Sequence, residues 1–186
     1  MSVRHAILGL LSWQPLAGYD LKKIFSESAD FYWSGNNNQV YRTLLDLFEQ
    51  GLVEREIIQQ ENLPAKKIYS ITDKGRLELR QWLNTTPELP LLRNSFLVQL
   101  AWADCLSAAE LDQLLNRYEE EIRDQNLMHN ARGPQLPAKN ARSPREAILW
   151  SAVHQNRAKF YQTELEWIQN LRMDLANQPE KDELKG

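Results

Sequence analysis

The stretch NNNQVYRTLLDLFEQGLVEREI, Asn36 to Ile57, carries the pattern that decides the fold of this chain. Three asparagines, which are poor helix formers, lead straight into good helical periodicity. Val40, Tyr41, Leu44, Leu45, Leu47 and Phe48 recur at the spacing of one wide helical face. Gly51 stands where a helix stops. LVEREII then sets Val53, Arg55 and Ile57 against Leu52, Glu54 and Glu56, the two-residue period of a half-buried strand. The pattern predicts a helix over 37–50 with an amide-rich start, held against a strand.

The flanking segments complete a recognisable set of parts. Downstream, QQENLPA reads as a polar tip containing Pro64, and KKIYSIT returns as a second strand. Together these predict an antiparallel hairpin with a long, loose tip. Thr72 or Asp73 can cap a fourth helix bearing Leu79, Trp82 and Leu83. Upstream, RHAILGLLS places Ile7, Leu8, Leu10 and Leu11 on one helical face, and Pro15 ends it. Residues 18–28 read as a second helix, with Leu21, Ile24 and Phe25 inward and Lys22 and Lys23 outward. Phe31, Tyr32 and Trp33 fill the connection to the third helix. Three helices, a hairpin and a closing helix are the parts of a winged helix-turn-helix, whose third helix sits in the DNA major groove.

TTPELP, residues 85–90, is the linker candidate, and everything beyond it reads as helical. Leu92, Phe96, Leu100 and Ala103 space a short helix. Ser107 with Glu110 forms a capping box opening a helix with Leu111, Leu115, Tyr118 and Ile122. NARGPQLPAKNAR is a loop, and Ser143-Pro144-Arg145-Glu146 is a second capping box with proline at the first helical position. The last helix runs to about Ala176. Leu149, Val153, Phe160, Trp167 and Leu171 line its apolar seam, with Tyr161, Leu165, Ile168 and Leu175 beside it. That front is wider than one hairpin partner covers and suits dimerisation. The expected class is mainly α with a small β-hairpin. A winged helix-turn-helix domain spans residues 1–86, a helical dimerisation and candidate effector domain 91–178, and a disordered tail 179–186.

Bulk properties narrow the function. The chain has 186 residues, 42% hydrophobic and 25% charged, enough for one large domain or two small ones. No run approaches about 18 uninterrupted apolar residues, so no membrane span is expected. The single cysteine, Cys105, fits a reducing cytoplasm. The KDEL string near the end is not terminal and reads as chance. Net charge is −3, an argument against strong general attraction to nucleic acid. Residues 1–86 carry ten Lys and Arg against ten Asp and Glu, leaving twelve against fifteen for the rest. A basic footprint must therefore be local.

With Val40, Leu44 and Leu47 inward, the third helix turns Asn36, Gln39, Thr43 and Asp46 outward, with Arg42 on the flank. Asn37 and Asn38 complete its amide-rich start. Asn and Gln can pair with adenine, Arg with guanine, and Thr can meet a thymine methyl. Tyr41 can pack its ring inward and extend its hydroxyl to a phosphate, and Lys66 and Lys67 suit backbone contacts from the hairpin. Each has a plainer reading: the asparagines as turn and cap residues, Tyr41 as core, the lysines as a wet edge. Their joint placement on one helix and the adjoining hairpin favours the functional one. Trp13, Trp33 and Trp82 fit the N-terminal core. Trp102, Trp150 and Trp167 fit a dimer core ahead of an aromatic effector pocket. His5, His129 and His154 show no ligand spacing with one another or with Cys105, so neither metal nor cofactor is expected. Phosphate-loop, dinucleotide and nucleophile-elbow motifs are lacking, and no catalytic residues are expected.

HAILGLL, AGYDLKKIF, NNNQVYRTLLDLFEQGLVERE and AKKIYSITDKGR together resemble the PadR family of bacterial transcriptional regulators. The family pattern is met by Trp33, Val40-Tyr41, Leu44, Leu47, Gly51-Leu52-Val53 and Tyr69-Ser70-Ile71-Thr72. The resemblance is close over residues 5–83. Residues 91–176 resemble the long helical C-terminal half of some members in length and pattern. Arg42 departs from the proline often found there, so the first turn donates differently. The resemblance implies a homodimer acting on double-stranded DNA at a palindromic operator, often answering to a small aromatic effector. The competing reading is a winged-helix protein-interaction module without sequence-specific DNA binding, which the acidic pI of about 5.7 would suit. A DNA binder needs Gln39, Arg42, Lys66 and Lys67 exposed beside one another; a docking module does not.

Overall fold

A computed structural model describes residues 3–27, 37–60, 63–89, 94–133 and 141–177. The chain divides into two compact units, residues 1–90 and 91–186. The N-terminal unit runs α1 (Val3–Leu11), β1 (Leu16–Ala17), α2 (Gly18–Glu27), α3 (Asn37–Glu49), β2 (Val53–Gln60), β3 (Leu63–Ile71) and α4 (Asp73–Leu83). Its apolar stripes converge: Ile7, Leu8 and Leu11 of α1, Leu21 and Phe25 of α2, and Val40, Leu44 and Leu47 of α3 form one core. Leu52, Val53, Tyr69 and Ile71 close it from the base of the hairpin.

Three features depart from the sequence expectation. A third strand exists: β1 pairs with β3 through Leu16↔Tyr69 and Ala17↔Ile68, giving the antiparallel order β1-β3-β2. Two residues after a proline are too few to show any periodicity. The hairpin is also longer than its polar sequence implied, with pairing continuing past an irregularity at Ile58 to Gln60↔Leu63. Main-chain pairing needs no apolar face once a hairpin projects beyond the core, and Ile57 and Ile58 are accordingly exposed. Finally, Trp82 and Leu83 are exposed, because the last turn of α4 extends past the core. Trp82 instead stacks on His5 at 4.5 Å between ring centroids, while Arg4 and His5 both reach Glu78. Trp13 is half-buried, and Trp33 lies outside the described residues.

The end of α3 is tied to the start of α4. Gly51 takes a positive φ of 67°, the left-handed turn that ends a helix cheaply only at glycine. Leu52 then donates its N–H back to the Leu47 carbonyl at 2.9 Å, and its own carbonyl accepts from Thr72 N at 3.1 Å. Thr72 Oγ1 donates to the Gly51 carbonyl at 2.8 Å and accepts from Gly75 N at 3.1 Å, capping α4. Gly75 is buried against this junction, where an added Cβ would stand 2.1 Å from the Leu52 carbonyl oxygen.

The C-terminal unit contains α5 (Ser95–Ala101), a single 3₁₀ turn (Ala103–Cys105), α6 (Ala108–Arg132) and α7 (Pro144–Ala176). Ser107 and Glu110 form the expected reciprocal capping box. At α7 Ser143 accepts from Glu146 N, but the Glu146 carboxylate turns to Arg142, accepting from its main-chain N at 2.6 Å. Leu115, Ile122 and His129 are the buried residues of α6, each seven apart. Tyr161 and Ile168 are those of α7, also seven apart. Seven-residue spacing keeps one seam facing a partner along a whole helix. Phe96, Leu115 and Ile168 centre the apolar cluster, with Tyr118, Trp167 and Leu171 packed against it. Arg172 pins α7 to α6 through Asp112, Asn116 and Glu119.

The seam also holds a pair not legible in the sequence: His129 stacks on His154 at 4.0 Å, and its Nε2 lies 3.0 Å from the His154 carbonyl. The position seven after Ile122 is simply filled by a histidine in place of an aliphatic residue. Beside the seam, Glu164 accepts a 2.5 Å hydrogen bond from the Tyr118 hydroxyl.

Two stability predictions follow. Gly75→Ala forces backbone apart at the α3–α4 junction and is expected to cost roughly 1–3 kcal/mol or more. Urea unfolding followed in the N-terminal unit measures it, and an unchanged midpoint would refute the close approach. In the C-terminal unit, burial and the Glu164 bond push the Tyr118 hydroxyl up to about 12. The folded protein thus holds this proton more tightly than the unfolded chain, whose tyrosines titrate near about 10. The resulting stability is complete below pH of about 10 and is lost as pH rises through about 12. Alkaline denaturation should show this loss in the native chain and not in Tyr118→Phe.

Candidate nucleic-acid interface

The helix α3 is amphipathic in a way that separates packing from presentation. Val40, Leu44 and Leu47 are essentially inaccessible, and each step of three or four residues keeps that side inward. The predicted inner face was too wide, however: Tyr41 and Leu45 are 46% and 48% exposed. Gln39, Arg42 and Asp46 are exposed on the outer side, with Thr43 half-buried between them. Asn37 and Asn38 lie in the first turn of α3, and Asn36 falls outside the described residues. The outer face therefore presents an amide, a guanidinium and a hydroxyl within two turns, groups able to hydrogen-bond base edges.

The hairpin supplies the second wall. Lys66 and Lys67 are both exposed on β3, opposite Ile58 and Ile57 in the ladder. Together with α2 and α3 they bound an open cleft lined by Gly18, Tyr19, Tyr41, Leu45, Arg55 and the two lysines. Arg55 is held there by its guanidinium stacking 4.6 Å from the centre of the Phe48 ring. Tyr41 keeps its place because Gly18 has no side chain: a Cβ there would lie 2.8 Å from Tyr41 Cε1. The Tyr41 ring thus rests on the start of α2 with much of its surface in solvent.

Sequence reasoning missed three residues of this cleft. Tyr19, 66% exposed, sits beside Tyr41. The clue was present in AGYD, where an aromatic residue stands at an outward position of α2. Arg55 had been read only as one phase of strand alternation. Asp20 had no reading at all, yet its carboxylate accepts from Ala17 N at 3.2 Å and lies 3.6 Å from Lys66 Nζ. The residues expected to form a dimer seam lie in the other unit. Leu149, Val153 and Phe160 are 57%, 44% and 38% exposed, whereas Trp167 and Leu171 pack on the cluster around Phe96. Trp102 is largely exposed and Trp150 half-buried.

Comparison with known proteins bears on both units. Residues 7–81 match the Transcriptional regulator PadR-like family, and residues 92–175 match the family described as Virulence activator alpha C-term. The negative transcriptional regulator PadR of Bacillus subtilis is 33% identical over 113 residues, covering 60% of this chain and 62% of that protein. The matched stretch thus spans under two thirds of that relative. The crystal structure of B. subtilis PadR with operator DNA aligns with a TM-score of 0.78 at 24% identity, over 91% of this chain and 96% of that one. Its complex with p-coumaric acid aligns at 0.73 with 24% identity, over 91% and 95%. The Vibrio cholerae virulence activator AphA aligns at 0.65 with 26% identity, over 94% and 98%.

If the outer face of α3 reads bases, Gln39→Ala and Arg42→Ala should each weaken binding to a cognate duplex by roughly 1–3 kcal/mol. Binding to unrelated duplex should hardly change. A cognate duplex recovered by selection from a random pool supplies the probe. Wild-type affinity in both variants would mean that another face meets the DNA.

Proposed function

We propose that this chain, whose residues 7–81 match the PadR-like family of transcriptional regulators, is a sequence-specific DNA-binding regulator acting in the cytoplasm as a homodimer on a palindromic operator. The observation that carries this reading is the joint exposure of Gln39 and Arg42 on α3 beside a cleft walled by Tyr41, Lys66 and Lys67. The α3 side chains specify bases, and the hairpin lysines position the domain on the phosphate backbone. The N-terminal end of α3 favours a phosphate as well, through the positive end of the helix dipole. A docking module would have no need to gather a guanidinium, an amide and two ammoniums on one face.

Dimerisation follows from the charge balance and from α7. Residues 1–86 carry no net charge, so one copy offers a short recognition helix and little general phosphate attraction. Two copies on a palindrome add their contacts and gain selectivity over non-operator sequence. Leu149, Val153 and Phe160 lie about a third of a turn round α7 from its inner seam, by the helical repeat of 3.6 residues. Trp167 and Leu171 continue this stripe and are covered within the chain, in the cluster that holds Phe96 of α5. The seven residues of α5 leave the earlier part of the stripe bare, and a second copy is the partner proposed for it. A small aromatic effector is part of the same proposal, supported by the p-coumaric acid complex of the B. subtilis protein.

The exposure of Phe160 makes assembly testable apart from folding. Phe160→Glu puts a carboxylate on a side chain that is partly solvated in the single chain, so the C-terminal unit should remain folded. In the dimer that charge is buried without a partner, which costs far more than the lost ring contacts. Sedimentation should show a monomer with native circular dichroism, and cognate-duplex affinity measured on the same samples should collapse. A folded Phe160→Glu dimer, or a monomer binding at full affinity, would overturn the proposed mode of action.

A further inference from the structure

Among the described residues, the cleft proposed to face DNA is lined by one negative charge, Asp20. Asp20 lies in the first turn of α2, between Tyr19 and the wing lysines. One contact is local: Asp20 Oδ2 accepts from Ala17 N, across the step from β1 to α2. The other is remote: the same oxygen stands 3.6 Å from Nζ of Lys66 on β3. Both side chains keep about two fifths of their surface in solvent, so the pair stands at the rim of the cleft and can exchange partners. Arg55 and Lys67 line the same cleft, but Lys66 is the cation that Asp20 holds.

An acid in the first turn is favourable to a helix anywhere on a protein. Here it also stands where duplex phosphates would pass, and it engages a lysine assigned to them. Binding a phosphate with Lys66 must therefore break an ion pair and leave a carboxylate beside a polyanion. That cost applies to every duplex, whereas the base contacts of α3 that offset it are made only on the correct one.

We propose that Asp20 is a specificity-determining residue of the DNA face, withholding Lys66 from non-operator duplex. This rests on the DNA-binding reading given above. In a chain of neutral N-terminal charge the device keeps general affinity low and raises the ratio of operator to non-operator binding. The residue acts through Lys66 and makes no base contact of its own.

The test uses the full chain and Asp20→Asn, in which the amide oxygen still accepts from Ala17 N and only the charge is lost. Binding to a mixed-sequence duplex is measured across a salt series. Freeing one phosphate contact should steepen the slope of log affinity against log salt by about 0.9. The fall in non-operator affinity between about 50 and 200 mM salt should then be roughly three- to four-fold larger than in the wild type. Affinity for a duplex selected from a random pool should gain less, so the selectivity ratio drops. With Lys66→Ala already in place, Asp20→Asn should no longer steepen the slope.

Three outcomes would overturn the proposal. If Lys66→Ala with Lys67→Ala changes neither slope nor affinity, the wing does not meet DNA, and the site reading falls together with this one. If those lysines lower the slope while Asp20→Asn leaves it at the wild-type value, the site stands and only the role of Asp20 fails. If Asp20→Asn steepens the slope equally with and without Lys66, its charge does not act through that lysine. A merely structural Asp20 would alter melting temperature and leave the salt slope alone. Asp20→Ser, which keeps a short oxygen acceptor, repeats the measurement should the asparagine variant fold poorly.

Discussion

The N-terminal unit depends on a single close approach, the backbone of Gly75 against the carbonyl of Leu52. Leu52 is the residue through which α3, β2 and α4 meet. Its N–H closes the end of α3, its carbonyl receives Thr72, and its side chain is buried in the core. Because glycine alone leaves room there, the start of α4 can sit on the turn that ends α3. Such a mount fixes which side chains α3 presents, since a small rotation would carry Gln39 and Arg42 off its exposed side. Buried apolar contacts fix the inner side of α3, and polar main-chain bonds fix its end. Each bond is worth only about a kilocalorie per mole net, but together they leave the helix one orientation.

The cleft beside that helix shows how packing and charge are combined in a domain with no net positive charge. Gly18 lets Tyr41 pack closely against the start of α2, and Phe48 holds Arg55 by its ring face. The cations are thus few and held in place. On the proposed DNA-binding reading, such an arrangement keeps affinity for DNA in general low, and contacts that depend on sequence carry more of the total. The C-terminal unit solves a different problem. One stripe of α7 meets α6 through a seven-residue repeat, and a second stripe is covered at one end only. In the proposed dimer, folding and assembly fall to different faces of one helix.

Long periodic segments could be read directly from the sequence, because burial of one face imposes the period. The helices, the paired strands, the Ser107–Glu110 box and the stop at Gly51 all express rules acting within a few residues. The outward placement of Gln39 and Arg42 followed from the same periodicity, once Val40, Leu44 and Leu47 were assigned to the core. The family resemblance, too, rests on contiguous motifs such as AGYDLKKIF and Tyr69-Ser70-Ile71-Thr72.

What depended on contacts between distant residues could not be read that way. The strand Leu16–Ala17 exists only because β3 is there to pair with it. Tyr41 and Leu45 belong to the periodic face of α3, but the core ends before it reaches them. The sequence marks a glycine at 75 without indicating that a carbonyl 23 positions earlier needs the space. Asp20 and Lys66 are 46 residues apart, and His129 and His154 are 25 apart. Local periodicity determined which faces turn inward. The tertiary structure alone decided which charges and rings meet, because side-chain interactions of a few ångströms depend on the path of the chain and not on its spacing.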